Sequence, residues 1–355
     1  MNIALFEGFY AGSHKRWADE WKAHSTHHIE LFTLSAAHWK WRMHGGAITL
    51  VKNYLNSPFQ ADHIVCTDMI DLALVRSLLH QAGVQAKCYL YFHENQLTYP
   101  FSATDSDRIN NRDRHYAFIN YTSALAADGV AFNSRYHQEV FLEELTRFLT
   151  PFPDHQELKN VELIAQKSTV LYPGMLFPSS VPDHTKSEKP RFLWNHRWEF
   201  DKNPEAFFRL LIELQEENMD FELVVMGEQY KKYPAIFDEA KEQLIKHIVH
   251  WGYAESREDY LKLVASCTHL PVTSNQDFFG YSIIEAAQLG VHPILPNRLT
   301  YPEHSFPEDH YYTDESELKK KLQDICQVPI AKRSYDLSRY EWKSLITAYD
   351  HFFGQ

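Results

Sequence analysis

The sequence predicts an α/β protein built from two Rossmann-like domains, and three observations carry that expectation. Short apolar runs alternate with helix-length amphipathic stretches along the whole chain, the pattern of stacked βαβ units around parallel sheets. At 355 residues, 44% of them hydrophobic, the chain exceeds what one core usually serves and holds material for two. A polar, proline-marked stretch at 179–190, containing Pro182, Asp183, Lys186, Glu188 and Pro190, separates two such series and reads as a linker.

In the first series, 1–178, the expected strands are Ile3–Phe6, Ile29–Leu34, His63–Thr67, Lys87–Phe92, Gly129–Phe132 and Thr169–Tyr172. Helices are expected over Ile70–Gln81, Asp113–Ala127 and Arg135–Leu149, and another after the small-residue turn at Gly12. The second series, 191–335, offers strands at Arg191–Asn195, Phe221–Met226, Val249–Trp251, His269–Thr273 and Pro293–Leu295. Its helices start near Pro204, Pro234, Glu255 and Gly280. Asn203-Pro204 is a start signal because Asn caps free amides and Pro fits the first helical position. The segment 336–355 has apolar residues at helical spacing over Arg339–Phe353 and is expected to cross back onto the first domain. Two such domains would meet across a cleft at the carboxyl ends of their strands, where open parallel sheets bind ligands.

Composition narrows the function. Thirty-five Lys and Arg against 47 Asp and Glu leave a formal charge of −12, which argues against a broad basic face for nonspecific nucleic-acid binding. Residues 1–180 carry 15 basic against 18 acidic side chains and the remainder 20 against 29, so a modest basic patch on the first domain stays open. Cys66, Cys88, Cys267 and Cys326 are widely spaced, without a CxxC pair or disulfide density, and fit a reducing compartment. Asn2–Phe9 reads as a strand, not a leader, and no apolar run is long enough for a bilayer, so a cytoplasmic protein is expected. The 21 histidines include no HExxH helix and no paired His/Cys spacing, so no metal is expected, and Asp105-Ser106-Asp107 reads as a solvated turn.

Chemistry concentrates at strand–helix junctions. In Asn275-Gln276-Asp277-Phe278-Phe279-Gly280-Tyr281-Ser282-Ile283-Ile284-Glu285, an acidic residue follows a strand, a glycine permits close backbone approach, and a helix start favours an anion. Asp277 and Glu285 suit sugar or ribose hydroxyls; the plainer reading is a cap for Asp277 and a basic partner for Glu285. His196-Arg197-Trp198-Glu199-Phe200-Asp201-Lys202 supplies a planar fork and a point charge, the two ways side chains neutralise a diphosphate. Its plainer reading is a loop in which Arg197 pairs with Glu199 or Asp201. In the first domain, Phe9-Tyr10-Ala11-Gly12-Ser13-His14-Lys15 lacks the GxGxxG pattern and is a weak phosphate signal alone. Tyr91-Phe92-His93-Glu94-Asn95-Gln96-Leu97 puts a polar cluster after an apolar strand, and Asn133-Ser134 is a fainter case.

These stretches, with His250-Trp251-Gly252-Tyr253 and Phe278-Phe279-Gly280, resemble in order the motifs of the tRNA-queuosine α-mannosyltransferase family, over nearly the whole chain. The Arg197/Lys202 and Asp277/Glu285 pairs likewise resemble the donor site of retaining GT-B glycosyltransferases of family four. The resemblance implies that Arg197 and Lys202 hold the donor diphosphate, Glu285 the ribose and Asp277 the hexose, with His93 beside the transferred sugar. It places Gly12, His196, Gly227, Glu228, Phe278, Phe279, Gly280 and Tyr281 on the donor, and Ser13, His14, Lys15, Glu94, Asn95 and Asn133 toward the acceptor. The family pattern has Glu where this chain has Asp277, one methylene shorter. GDP-mannose is the implied donor, queuosine in a tRNA anticodon loop the implied acceptor, and no further cofactor is implied. Lys15, Arg16, Arg108, Arg112 and Arg114 are the cationic grouping available for tRNA; with Asp105, Asp107 and Asp113 among them, a self-compensated loop is the other reading. The competing expectations are a transferase with a lipid or saccharide acceptor and a two-lobed sugar-nucleotide binder without transfer.

Overall fold

The computed structural model describes residues 1–102, 105, 114–178, 187–328 and 334–355. Asp107, Arg108, Arg112 and Asp113 of the charged loop, and residues 179–186 of the expected linker, lie outside the described residues. The chain divides into two compact units, Met1–Leu176 with Ser338–Gln355, and Phe177–Leu337.

Unit 1 is a parallel six-stranded sheet. Its elements run β1 (Asn2–Tyr10), α1 (Gly12–His24), β2 (His28–Ser35), α2 (Trp39–Leu55), β3 (His63–Thr67), α3 (Leu72–Gln81), β4 (Lys87–Phe92), α4 (Arg114–Ala126), β5 (Gly129–Phe132), α5 (Arg135–Leu149), α6 (Lys159–Gln166) and β6 (Ser168–Val170). The strand order is β2-β1-β3-β4-β5-β6, with Ile3 opposite His63 and Cys66 opposite Leu90. Strands such as His63–Thr67 are buried throughout because helices cover both faces, so they are continuous apolar runs, not alternating ones. Side chains start the helices: Asp71 accepts from the Leu74 amide and Ser134 from the His137 amide.

Residues 338–355 pack into unit 1 as helix α12 (Trp342–Phe353). Trp342, Tyr349 and Phe353 are buried against Trp17 and Trp21 of α1. Trp17 Nε1 donates to the Tyr349 hydroxyl at 3.0 Å, and Trp342 Nε1 to Glu20 Oε2 at 2.8 Å. Full burial of such side chains contributes roughly 1.5–3 kcal/mol each.

Unit 2 runs β7 (Arg191–Trp194), α7 (Pro204–Glu216), β8 (Glu222–Val225), α8 (Ile236–Gln243), β9 (Ile248–Trp251), α9 (Arg257–Ser266), β10 (His269–Pro271), α10 (Tyr281–Gln288), β11 (His292–Pro296), β12 (Tyr311–Tyr312) and α11 (Glu315–Gln327). The order is β12-β11-β10-β7-β8-β9, all parallel. An aromatic core fills one face: Trp194 lies against Phe207, Phe208 and Phe237, and Trp198 stacks on Phe237 with centroids 4.1 Å apart. Helices α2, α6 and α11 and strand β12 have no counterpart in the sequence expectations. Gly45-Gly46 and β-branched residues weaken the helical signal of α2, where Gly45 instead makes room for the Trp41 ring. A Cβ on Gly45 would come within 2.8 Å of that ring.

Strand order reverses between β1 and β3 in unit 1 and between β7 and β10 in unit 2. Ligands of such sheets bind outside the carboxyl ends of the strands at these switch points. The segments that follow β1, β3, β7 and β10 are therefore where function is expected.

Candidate functional site

In unit 2, the segments after β7 and β10 interlock. The Asn275 amide donates to the Asp201 carbonyl at 2.8 Å, and Thr273 Oγ1 donates to the Lys202 and Asn203 carbonyls at 3.1 and 2.9 Å. Lys202 is nearly buried: its Nζ donates to the Gln276 carbonyl at 2.8 Å and stands 3.3 Å from Asp201 Oδ2 and 3.6 Å from Asp277 Oδ2. Asp277 Oδ1 accepts the Gly280 amide at 2.9 Å and the Phe279 amide at 3.4 Å, while Oδ2 accepts from the Tyr301 hydroxyl at 3.3 Å. Burial raises the Asp277 pKa, but Lys202, His196 and the two amides outweigh it and leave the carboxyl below its ordinary value.

Gly280 begins α10 in the left-handed region, φ 81°, which glycine enters without a Cβ penalty. Arg197 is more open, with 40% of its side chain exposed, and pairs with Glu199 Oε2 at 2.9 Å and Asp201 Oδ2 at 3.8 Å. The structure thus brings Lys202, Asp277 and Gly280 together, and it also realises the plainer contacts of Asp277 and Arg197. Glu285 is buried and held by Arg257, whose Nη1 lies 3.1 Å from Oε2 and whose Nη2 bonds Oε1. The Arg257 guanidinium also covers the Tyr260 ring at 4.9 Å.

His196 is buried beside this cluster, its Nδ1 3.3 Å from Ser282 Oγ. Burial first, and then Lys202, push its pKa down to about 4, so the ring is neutral near pH 7. Gly227 passes so close to the His196 carbonyl oxygen that a Cβ would stand 1.9 Å away, and its φ of 109° excludes other residues. The Glu228 carbonyl accepts the Trp198 amide at 3.0 Å, tying the loop after β8 to the Arg197 loop. Phe278, Phe279 and Tyr281 flank the α10 start; the first two are buried.

In unit 1, Gly12 opens α1 at φ 52° with open space where a Cβ would stand. His14, one residue after Ser13, reaches back to Glu7 of β1, Nδ1 to Oε2 3.4 Å. Burial lowers the His14 pKa, but Glu7 overrides it and raises the ring to about 9. His93 packs against His14 with centroids 4.1 Å apart and ring planes tilted by 32°, and meets Trp17 edge-on at 4.6 Å. Burial and the neighbouring His14 hold it well below its ordinary value. The His93 amide donates to Asp68 Oδ1 at 2.7 Å, and Asn133 Nδ2 donates to the His93 carbonyl at 2.8 Å. Burial, and then the charge of Glu94, raise Asp68 to about 8. Asn95 Oδ1 accepts the Leu97 and Thr98 amides, so Asn95 and Asn133 shape the His93 loop. Lys15 is turned to Asp19 at 2.6 Å and sits on the Tyr10 ring.

Glu7, Asp68 and Arg257 were not singled out in the sequence. Asp68 carries a readable signal, an acidic residue immediately after a buried strand; Glu7 lies inside an apolar run, and Arg257 meets Glu285 only through the fold.

Two family descriptions match the chain: "tRNA-queuosine alpha-mannosyltransferase N-terminal" over residues 2–175, and "Glycosyl transferases group 1" over 179–322. A tRNA-queuosine alpha-mannosyltransferase of Drosophila melanogaster is 32% identical over 377 aligned positions, covering 100% of this chain and 97% of that protein. Among solved structures, a sucrose-phosphate synthase from Thermosynechococcus elongatus aligns with a TM-score of 0.73 at 14% identity, over 100% of this chain and 98% of that one. The Anabaena protein HepE, solved with UDP and glucose, aligns with a TM-score of 0.64 at 14% identity, over 100% and 99%. The fold is therefore GT-B, and the protein is a glycosyltransferase. By its full-length likeness and its matching N-terminal half, the chain belongs to the tRNA-queuosine alpha-mannosyltransferase family.

Proposed function

We propose that the protein transfers mannose, with retention, from GDP-mannose to the cyclopentene-diol of queuosine in a tRNA anticodon loop, in the cytoplasm. The observation that supports this most is the Lys202–Asp277–Gly280 arrangement at the switch point of unit 2, in a chain that belongs to this family throughout. The chemistry follows from charge. As the glycosidic bond breaks, negative charge builds on the departing diphosphate, and donors fixed beforehand stabilise it without reorganising. Arg197 supplies a fork, Lys202 a point charge, and the start of α10 its dipole. Asp277 takes hexose hydroxyls, its carboxylate kept ionised by Lys202 and oriented by the Phe279 and Gly280 amides. Glu285 takes the ribose hydroxyls, with Arg257 holding the carboxylate in place. The leaving phosphate takes the acceptor proton, so no protein nucleophile is required. The resemblance assigns His93 to the transferred hexose, and its neutral ring suits a hydrogen bond to a hydroxyl. In unit 1, Ser13, His14 and Glu94 are the acceptor-side groups, and Lys15, Arg16 and Arg114 the cations proposed to meet the tRNA backbone, the first two exchanging their pairing with Asp19 and Glu20 for phosphate. Among the described residues no helix is long and apolar enough to cross a membrane.

The test is mass spectrometry of tRNA nucleosides after incubation of queuosine-bearing tRNA with the protein and GDP-mannose, UDP-glucose or UDP-galactose. The expected result is a gain of one hexose on queuosine with GDP-mannose alone. Donor hydrolysis without any gain on tRNA, or transfer only to a lipid or saccharide acceptor, would overturn the acceptor; nucleotide-sugar binding without turnover would overturn the reaction.

A further inference from the structure

Three side chains of unit 1 that are far apart in sequence aim polar atoms at one point. Glu7 Oε2 from β1, His14 Nδ1 from the first turn of α1, and His93 Nε2 from just after β4 all lie within 4.8 Å of one another. The carboxylate oxygen is 3.4 Å from His14 Nδ1 and 4.0 Å from His93 Nε2. All three atoms are buried, and outside their contacts with one another they have no hydrogen-bond partner among the described residues. The Glu7 side chain is fully buried, and those of His14 and His93 are 13% and 8% exposed. Buried polar atoms without partners are rare and costly, and three facing each other mark a place built for something else to fill.

We propose that Glu7, His14 and His93 bind one divalent metal ion of the imidazole-favouring kind, with zinc as its representative. The donor set fits: two imidazole nitrogens and one carboxylate oxygen are the three protein ligands of many open zinc sites. Ligand atoms around a tetrahedral zinc sit about 3.3 Å apart, given bonds of about 2.0–2.1 Å. The two separations from Glu7 Oε2 need shifts of only tenths of an ångström to close on an ion. The surroundings are those of a fixed site. The other Glu7 oxygen accepts the Phe9 amide at 2.7 Å and the Thr67 hydroxyl at 3.1 Å, which aims Oε2 at the histidines. The His93 ring is wedged by Trp17 and Tyr91, and its backbone is pinned by Asp68 and Asn133.

Charge points the same way. Glu94 acts electrostatically on His14 in addition to Glu7, and Asp68 is held protonated near neutral pH by its burial, so two carboxylates remain beside two imidazoles and a divalent cation would balance them. The competing occupant is a proton on His14, which would make the site an ion pair with Glu7. The ion's part would be to hold Glu7, His14 and His93 in one arrangement; the diphosphate chemistry of unit 2 does not pass through it.

Direct metal binding tests this, and its readout is independent of sugar transfer. The full chain, stripped with a chelator and free of any histidine tag, is loaded with one equivalent of zinc and separated on a desalting column. Elemental mass spectrometry should find one ion per chain. In competition with a chromophoric chelator, His14→Ala and His93→Ala should each bind at least about 100-fold more weakly, beyond the loss typical of an outer-shell change. His44→Ala, which removes an exposed histidine stacked on His115, should bind as the wild type does and so controls for the other histidines. Cobalt added to the wild-type chain should give the intense visible bands of a four-coordinate site, a readout that needs no variant to fold. Substoichiometric zinc, unchanged affinity in His14→Ala, or the absence of those bands would overturn the proposal in favour of the protonated ion pair.

Discussion

Lys202 Nζ stands 3.6 Å from Asp277 Oδ2, and the other oxygen of that carboxylate accepts the Gly280 amide at 2.9 Å. A cation, an anion and a helix start are thereby joined in one chain of contacts, the arrangement proposed to receive the donor diphosphate. Lys202 and Arg197 differ in how deeply they are woven into it, and their variants should differ accordingly.

Arg197→Ala should lower kcat/KM for transfer by about 100-fold or more, the loss typical of one preorganised charge-stabilising donor. Its half-open side chain and surface pairing with Glu199 make stability change by no more than about 0.5 kcal/mol. Steady-state transfer assays and urea denaturation of the same preparation check both halves; wild-type activity would remove Arg197 from the donor site.

Lys202→Met should lower activity to a similar extent and also destabilise the protein, by roughly 3 kcal/mol, because it strands the buried Asp201 and Asp277 carboxylates. A raised substrate concentration should not restore kcat. A variant as stable as wild type would show that Lys202 is not the counter-charge the geometry makes it.

Gly227→Ala should destabilise by about 2–5 kcal/mol, since the new methyl meets the His196 carbonyl at 1.9 Å in a backbone region closed to alanine. The midpoint of urea unfolding should fall with little change in its slope. An unshifted midpoint would mean that the loops after β7 and β8 can part freely.

The contribution of His196 to stability should fall as pH drops from 6.5 toward 4, while Asp68, raised to about 8, contributes in the opposite sense across the same window. His196 has its pKa depressed from 6.5 to about 4, so in that window the unfolded chain binds the proton and the folded one does not. The folded state loses up to roughly 3 kcal/mol across it through this group. His93 and His137 are depressed in the same sense and add to the slope. His196→Gln should leave the variant less weakened by acid than wild type across this window, by part of that amount; an unchanged difference in denaturation midpoint between the two at pH 6.5 and pH 4 would place the titration elsewhere.

Most strands and the junction loops were legible in the sequence because parallel strands buried on both faces are apolar runs with abrupt ends. His63–Thr67, Lys87–Phe92 and Gly129–Phe132 coincide with the observed elements. The Arg197–Lys202 and Asp277–Gly280 segments stood out because each places charge or glycine directly after such a run. What was not legible depends on register and packing. The convergence of Glu7, His14 and His93 needs β1 and β4 on either side of β3, and the hold of Arg257 on Glu285 needs α9 beside α10. Helix α2 was masked by its glycine pair, and α11 escaped although Asp314, which caps it through the Glu317 amide, forms a readable start.

The packing of α12 onto α1 has a consequence for synthesis. In the order of the chain, all of unit 2 comes after the main part of unit 1 and before α12. On a ribosome, the apolar face presented by Trp17 and Trp21 stays uncovered until residues 338–355 emerge, whereas unit 2 is contiguous and free to form first. A nascent chain halted before Trp342 would display a sticky aromatic surface, the kind of feature that chaperones hold.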